Sequence, residues 1–215
     1  MKDPGRQVTY WDTVGAEKTF THPVDLGWLT TVDPEARILD YGCGYGRVMA
    51  ELSQRGFSDV SGVDLSSALI ARGRRLHPDL RLAVLESPPD LPYPSASFEV
   101  VLLFAVLTCV PDDDAQRALL AELVRVLVPG GLLYISDMLL QDDERNRDRY
   151  AAYARRFGTP YGVFATGDGA VVRHHDTAEL RALLTAFDLM EERQTSVVTM
   201  NDHPARAVQL LARKR

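Results

Sequence analysis

The residues best placed to do chemistry fall in one stretch, Asp40-Tyr-Gly-Cys-Gly-Tyr-Gly46. Gly42, Gly44 and Gly46 lack a Cβ, so a ligand can lie against the backbone there and left-handed φ angles are open. The helix expected behind them turns unpaired N–H groups towards any carboxylate or phosphate in the loop. Asp40 adds a fixed negative charge. A second acidic residue, Asp64, follows at about the 20-residue distance at which related folds hold ribose hydroxyls. Its two oxygens can accept both hydroxyl protons. A lone Asp at a strand end is ordinarily a helix cap, but paired with this loop its binding role is the stronger reading. The chemistry indicated is the holding of a nucleotide-type cofactor.

These residues need strands and helices to position them. Ala36–Leu39 reads as a buried strand ending at Asp40, and residues 46–55 have helical spacing. Residues 59–63 form a second strand ending at Asp64. Ser66 is placed to cap a helix over 67–76, whose basic face (Arg72, Arg74, Arg75) reads as solvated. Strands follow at 80–85 and 97–104; the unbroken apolar run of the latter suits a parallel strand buried on both faces. Asp112-Asp-Asp opens a helix to Val128 and reads as dipole capping. A fifth strand over 132–136 ends at Asp137. Alternating strands and helices imply a parallel sheet with right-handed crossovers.

The rest of the chain departs from that alternation. Residues 7–32 read as helix with a break near His22-Pro23, either a lid over a ligand or a helix packing its aromatics on the domain; Tyr10 and Trp11 need a surface to cover in both. Residues 142–157 read as a highly charged, mostly wet helix with Tyr150, Tyr153 and Phe157 on one side. Residues 160–175 read as a hairpin turning at Gly167-Asp-Gly169. Asp176-Thr-Ala-Glu179 is a capping box. Two long strands at 189–200 and 205–212 then end the chain antiparallel. The whole of 1–215 reads as one domain, with lid helices at 1–32 and a cap insertion at 142–175.

Composition narrows the class. With 46% hydrophobic residues among 215, the chain fills one sizeable core. Cys43 and Cys109 are too few for a disulfide framework or a thiolate zinc site, so a reducing, cytoplasmic setting is expected. No signal peptide or bilayer-length apolar run is visible. A net charge of −6 weighs against a nucleic-acid partner.

The opening stretch resembles the acidic-x-Gly-x-Gly-x-Gly pattern of class I S-adenosylmethionine-dependent methyltransferases. The likeness runs over residues 30–215 and includes Asp64, the Leu91-Pro-Tyr-Pro connector, Arg125-Val-Leu-Val-Pro-Gly-Gly131 and the closing hairpin. Dehydrogenases place their third glycine one residue later. The resemblance implies a Rossmann-like α/β fold, a mostly parallel sheet of seven strands ending in an antiparallel hairpin, with S-adenosylmethionine as cofactor. It implies that Asp40 steers the methionine end, that Gly42, Cys43 and Gly44 carry it on the backbone, and that Asp64 with Leu65 holds the ribose. It also implies that Phe104 offers its carbonyl to the amino group. Family members often place an adenine-binding Asp four residues before the Leu-Pro connector. Here that position is Ser87, followed by Pro88, which has no N–H. Sliding by one makes Glu86 the acceptor from the exocyclic amine and the Ser87 N–H the ring donor.

Methyl transfer from a sulfonium is an in-line displacement in which alignment in a dry cleft does much of the work. A base is needed only for an acceptor protonated at working pH. Candidates around the cleft are Tyr10, Trp11, Tyr45, Thr108, Cys109, Asp137, His174 and His175. Tyr10, Trp11 and Thr108 are taken as acceptor-binding and His174 and His175 as catalytic, one of the pair pointing inward and the other out. No third ligand accompanies the histidines, so no metal is expected. Amide- and nucleobase-methylating members carry Asn/Asp-Pro-Pro-aromatic where this chain has Phe104-Ala-Val-Leu, which favours a small-molecule acceptor. The competing readings are a nicotinamide-dependent oxidoreductase and a non-catalytic S-adenosylmethionine-binding partner protein.

Overall fold

The computed structural model describes residues 4–215, with side chains from Gln7 onward. Strands and helices follow in the order β1 (Ile38–Tyr41), α2 (Arg47–Gln54), β2 (Val60–Asp64), α3 (Ser67–Leu76), β3 (Arg81–Val84), β4 (Phe98–Phe104) and α4 (Asp113–Val126), after an N-terminal α1 (Pro4–Asp12); β3 and β4 are joined by a loop without a helix. A fifth strand, β5 (Leu127–Met138), precedes α5 (Glu144–Phe157), the small hairpin β6 (Val163–Ala165) and β7 (Val171–Arg173), α6 (Thr177–Leu183), and the long pair β8 (Phe187–Val198) and β9 (Pro204–Lys214).

The main sheet has seven strands in the order β3-β2-β1-β4-β5-β9-β8. The first five are parallel, β9 runs antiparallel to β5, and β8 runs antiparallel to β9. This is the Rossmann-like sheet, closed by an antiparallel hairpin, that the family resemblance implies. Strand order reverses between β1 and β4, so their carboxyl ends part and leave a crevice, the place where such sheets bind ligands. The chain leaves β1 into Gly42 and β4 into Ala105, both at that crevice.

Apolar residues on both faces explain why the central strands are unbroken hydrophobic runs. One face packs Leu119, Leu123 and Val126 of α4 and Leu180 of α6 against Leu39, Val101 and Leu103. The other packs Val48, Met49 and Leu52 of α2 and Ile70 of α3 against Ile38, Val100 and Leu102. A third cluster joins Tyr10 and Trp11 of α1 to Tyr150 of α5 and Phe164 and Val172 of the hairpin.

The caps follow the side chains. Ser66 accepts from the Leu69 N–H at the start of α3, Asp112 from Ala115, and Asp176 from Ala178, where Glu179 completes the reciprocal box.

Three expectations need correction. The segment 7–32 is not a broken helix: after α1 only short 3-10 turns at Gly15–Glu17 and Leu26–Leu29 occur, and the chain between them is neither helix nor strand. Gly15 sits under the Trp11 indole, where a Cβ would lie 2.3 Å from the ring, and His22 precedes Pro23, which disfavours helix. β1 extends to Tyr41, because pairing with β2 and β4 continues through Asp40 and Tyr41. Arg72 is not solvated: it donates to the Ala16 and Lys18 carbonyls and stacks 4.1 Å over Tyr45, fastening the N-terminal segment to α3.

Candidate active site

At the cofactor end, Gly42 has φ +74°, and a Cβ there would lie 2.4 Å from Val106 Cγ2. Only glycine fits this turn. The Gly42 and Cys43 N–H groups both donate to the Val63 carbonyl, at 2.8 and 3.0 Å. The Gly44 N–H donates to Asp64 Oδ2 at 2.9 Å, and the Ser66 N–H to Asp64 Oδ1 at 2.8 Å. These bonds aim the Asp64 carboxylate into the crevice, and each oxygen keeps a lone pair for a further donor. Burial pushes Asp64 up to about 6 against those two bonds.

Asp40 is 2% exposed and its Oδ2 has no hydrogen-bond partner. Burial raises its carboxyl to about 7; nearby Arg47 opposes this and Asp64 adds to it. A buried carboxylate oxygen without a donor is costly unless a cation or N–H group meets it. Asp40 and Cys43 border a small recess of about 30 Å³ beneath the glycine loop, together with His22, Arg47 and Phe104.

The turn after β4 shapes the opposite wall. Ala105 has φ +55°, a conformation that costs a non-glycine residue about 1–2 kcal/mol, and such strain collects at functional sites. It turns Phe104, Ala105 and Val106 onto the wall of a cavity of about 590 Å³. Thr108 and Cys109 continue that wall. The Thr108 hydroxyl donates to the Arg173 carbonyl at 2.7 Å. Burial raises the Cys109 thiol, which suits a packing group better than a nucleophile.

The N-terminal segment and the 142–175 insertion close the far side. Gln7 Nε2 donates to the Cys109 and Val171 carbonyls at 3.1 and 2.9 Å. Asp12, at the end of α1, accepts from the Ser66 hydroxyl and the Ala68 N–H, so a carboxylate sits on the N-terminus of α3. Phe20 stacks on Tyr45 at 5.5 Å and crosses above the glycine loop. His22 is buried, with Nδ1 2.9 Å from Ser136 Oγ. Burial, then Arg47, lowers it to about 4.

On the insertion side, His174 Nδ1 lies 2.6 Å from the Tyr150 hydroxyl, which also receives the Gln141 N–H. Burial, then Arg149 and His175, lowers His174 to about 3. Arg149 lies over the Phe164 ring at 3.5 Å and lines the same cavity.

Gly42, Gly44, Asp64, Leu65, Phe104, Trp11, Thr108 and His174 line one cavity. Other candidates do not line it: Asp40 borders the small recess beneath the loop, and Asp137 is buried behind the wall. Glu86 and Ser87 are exposed in the bend after β3 and off the wall, while Leu85 on one side of them and Pro88 on the other line the cavity. Tyr10 is buried, but its hydroxyl is directed at Asp168 on the hairpin (3.1 Å) and not at the cavity. His175 is not exposed while His174 is buried; both are buried. The sheet and α4 cover one face of their strand and α5 the other. His174 faces the cavity, and His175 places Nε2 2.8 Å from Gln116 Nε2, with Nδ1 3.7 Å from Asp137. Burial drives both members of that last pair towards neutrality. Cys43 contributes its backbone only: its side chain packs into the α2 core cluster. Tyr45, beneath Phe20 and Arg72, is also off the wall. Among the described residues no group of three His, Cys, Asp or Glu side chains converges as a metal site.

His22 and Arg149 were missed. In the sequence His22 stands out only as the residue before a helix-breaking proline. Arg149 lies in a charged helix expected to be wet, although its i,i+4 relation to Tyr153 places it beside the aromatic side of that helix.

A sequence profile described as a methyltransferase domain matches residues 39–135. A demethylmenaquinone methyltransferase from Beutenbergia cavernae is 31% identical over 170 residues, covering 74% of this chain and 69% of that protein. This chain belongs to the class I S-adenosylmethionine-dependent methyltransferases. A trans-aconitate 2-methyltransferase from Deinococcus radiodurans is 34% identical over 172 residues, covering 77% of this chain but 64% of that protein. The chain thus spans less than two thirds of that relative. The crystal structure of a SAM-dependent methyltransferase from Methanosarcina mazei superposes with a TM-score of 0.81 at 24% identity, covering 89% of this chain and 98% of that one. Its likeness is one of fold.

The methyltransferase cofactor is S-adenosylmethionine, and the residues present fit it. The glycine cradle admits a ligand at the backbone, Asp64 keeps acceptor capacity for hydroxyls, and the unpartnered Asp40 Oδ2 favours a cationic end. Leu65, Leu85 and Pro88 offer apolar surface for a flat ring.

Proposed function

We propose that this chain transfers a methyl group from S-adenosylmethionine to a small-molecule acceptor held in the cavity between the β4 turn, the N-terminal segment and the insertion. The observation that carries this reading is continuity: the glycine cradle and Asp64 open into the same cavity as His174 and Arg149. The cofactor supplies an activated methyl on a sulfonium. The protein's part is to position and to exclude water. Asp64 holds the ribose hydroxyls, Asp40 attracts the amino end, and Leu65, Leu85 and Pro88 flank the adenine. Phe104, Val106 and Met138 keep the transfer region apolar.

The ring nitrogens of His22 and His174 that lack protein partners are available to an acceptor. Both rings are neutral at physiological pH and are weak bases, so they orient the acceptor by hydrogen bonds. An acceptor that arrives deprotonated needs no base. The names of the relatives, a trans-aconitate and a demethylmenaquinone methyltransferase, support a small-molecule acceptor. The acidic composition speaks against a nucleic-acid substrate, and two free thiols suit a reducing, cytoplasmic setting.

Calorimetry with S-adenosylhomocysteine and with nicotinamide cofactors tests the donor. Micromolar S-adenosylhomocysteine binding, lost in Asp64→Ala, is expected. Binding of a nicotinamide cofactor with none of S-adenosylhomocysteine overturns the reading. Transfer of label from methyl-labelled cofactor to small-molecule fractions of a cell extract tests catalysis.

A further inference from the structure

Arg149 carries a charge that the protein itself does not balance. Its side chain is half-buried on the cavity wall, its Nε is buried without a hydrogen-bond partner, and no carboxylate forms an ion pair with it among the described residues. The nearby arginines behave differently: Arg173 has Asp113 and Glu179, and Arg206 has Asp142. Burial acts against the Arg149 charge, offset in part by the Tyr150 hydroxyl and by the field of Asp143. A guanidinium does not deprotonate in proteins, so a desolvated one calls for an anion.

The neighbours of Arg149 define what that anion would meet. The guanidinium carbon lies 3.5 Å over the centre of the Phe164 ring, so that ring covers one side of the group and offers its N–H donors no acceptor in the ring plane. Beside it is His174. The Tyr150 hydroxyl has one proton and two candidate acceptors, His174 Nδ1 at 2.6 Å and Asn146 Oδ1 at 3.3 Å. In the tautomer whose Nδ1 accepts the Tyr150 proton, Nε2 carries the hydrogen and is a donor. The cavity wall thus presents a charged fork and a neutral N–H side by side, with Phe164 and Val172 around them. Arg145 and Asp143, both exposed, sit further out on the same wall and oppose each other in charge.

We infer that Arg149 and His174 form a subsite for a carboxylate, so that the methyl acceptor of this enzyme is a carboxylate-bearing small molecule. The inference rests on the methyltransferase reading and names the acceptor class for that same cavity. One guanidinium and one neutral donor match a planar monoanion, for which the bidentate fork is suited. A phosphate monoester dianion would call for more positive charge than this wall offers.

The test uses the full chain saturated with S-adenosylhomocysteine, which separates the two readings at the outset. Failure to bind that cofactor product would refute the methyltransferase assignment. The Nε–H NMR signal of Arg149, assigned by its disappearance in Arg149→Lys, is followed while acetate is titrated at constant ionic strength. Acetate is small enough to reach the subsite whatever the shape of the natural acceptor. A saturable shift with acetate, absent with acetamide and with chloride, is expected. In the same protein benzoate should bind at least tenfold more tightly than benzamide, and Arg149→Gln should abolish that difference while leaving S-adenosylhomocysteine affinity within twofold. No saturable acetate shift, an equal shift with acetamide, or tighter binding of phenyl phosphate than of benzoate would each overturn the carboxylate subsite.

Discussion

The Gly44 N–H donates to Asp64 Oδ2 at 2.9 Å, so the glycine loop after β1 and the carboxylate ending β2 are one unit. Asp40, one strand turn earlier, shares their electrostatic fate. Burial raises Asp64 to about 6 and Asp40 to about 7. In the unfolded chain both ionise near pH 4, so between about pH 4 and 7 the folded, cofactor-free protein holds protons that the unfolded chain has released. These two groups therefore make it less stable as pH rises through that window. A cofactor that supplies hydroxyl donors and an ammonium favours the ionised carboxylates. S-adenosylhomocysteine affinity should accordingly rise about tenfold from pH 6 to pH 8, the amount expected for one group near 7. Asp40→Asn should flatten the profile and weaken binding throughout. Calorimetry across the pH series checks both, and a profile unchanged by Asp40→Asn would assign the dependence elsewhere.

Gly42 faces two separate obstacles to substitution, a φ of +74° and a Val106 methyl 2.4 Å from the would-be Cβ. Gly42→Ala should cost about 1–2 kcal/mol for the left-handed backbone, plus the steric term, and should cut cofactor affinity at least tenfold. Adding Val106→Ala removes only the steric part. The double variant should regain part of the lost melting temperature and little of the affinity, because the alanine methyl still stands where the cofactor lies.

Much of this architecture could be read from residue types. Ser66 followed by an amphipathic run gave α3 over 67–76, and Asp112 and Asp176 announced their helices, because capping is a local interaction. The unbroken apolar run ending at Phe104 gave a strand buried on both faces. What escaped depends on packing at a distance. His174 and His175 alternate as a strand should, but α5 and α4 cover both sides, which no local pattern reveals. Glu86 and Ser87 were placed by a motif offset, whereas the bend after β3 leaves them exposed between Leu85 and Pro88, which line the cavity. Arg149 sits in a helix whose composition is that of a solvated surface. Its place in the cavity follows from the hairpin that brings Phe164 beneath it.

The N-terminal segment is fastened over the site by Asp168 at the hairpin tip. Lys18 Nζ lies 2.8 Å from Asp168 Oδ2, and the Tyr10 hydroxyl donates to the same oxygen at 3.1 Å. Burial pushes the Asp168 carboxyl up, but hydrogen bonds from Lys18, Thr166 and Tyr10 together outweigh it and hold it at about 2. Its contribution to stability is therefore full above about pH 4 and is lost as pH falls towards 2. Both charged side chains keep some contact with water, so Asp168→Asn should cost no more than about 1 kcal/mol. The larger effect should be kinetic. The segment carrying Phe20 covers the glycine loop, and loosening its far attachment should speed S-adenosylhomocysteine release several-fold in stopped-flow displacement. An unchanged release rate would mean that the cofactor leaves by a route this segment does not cover.

Arg173 ties β7 to the starts of α4 and α6, and its two sides are unequal. The guanidinium is 4% exposed, while its partners Asp113 and Glu179 are 50% and 41% exposed. Removing the arginine leaves two carboxylates that water can solvate. Removing the carboxylate charges leaves a buried cation without compensation, the costlier outcome. Arg173→Met should therefore cost about 1–2 kcal/mol in urea denaturation, mostly lost surface ion pairing and imperfect packing. Asp113→Asn combined with Glu179→Gln keeps hydrogen-bond acceptors in place yet should cost about 3 kcal/mol, towards the low end for an orphaned buried charge. The Arg173 carbonyl that receives the Thr108 hydroxyl is unaffected by either change, so S-adenosylhomocysteine affinity should stay within twofold in both. Arg173→Met proving the costlier of the two would mean that packing of the arginine stem, and not its charge, joins the hairpin to the sheet.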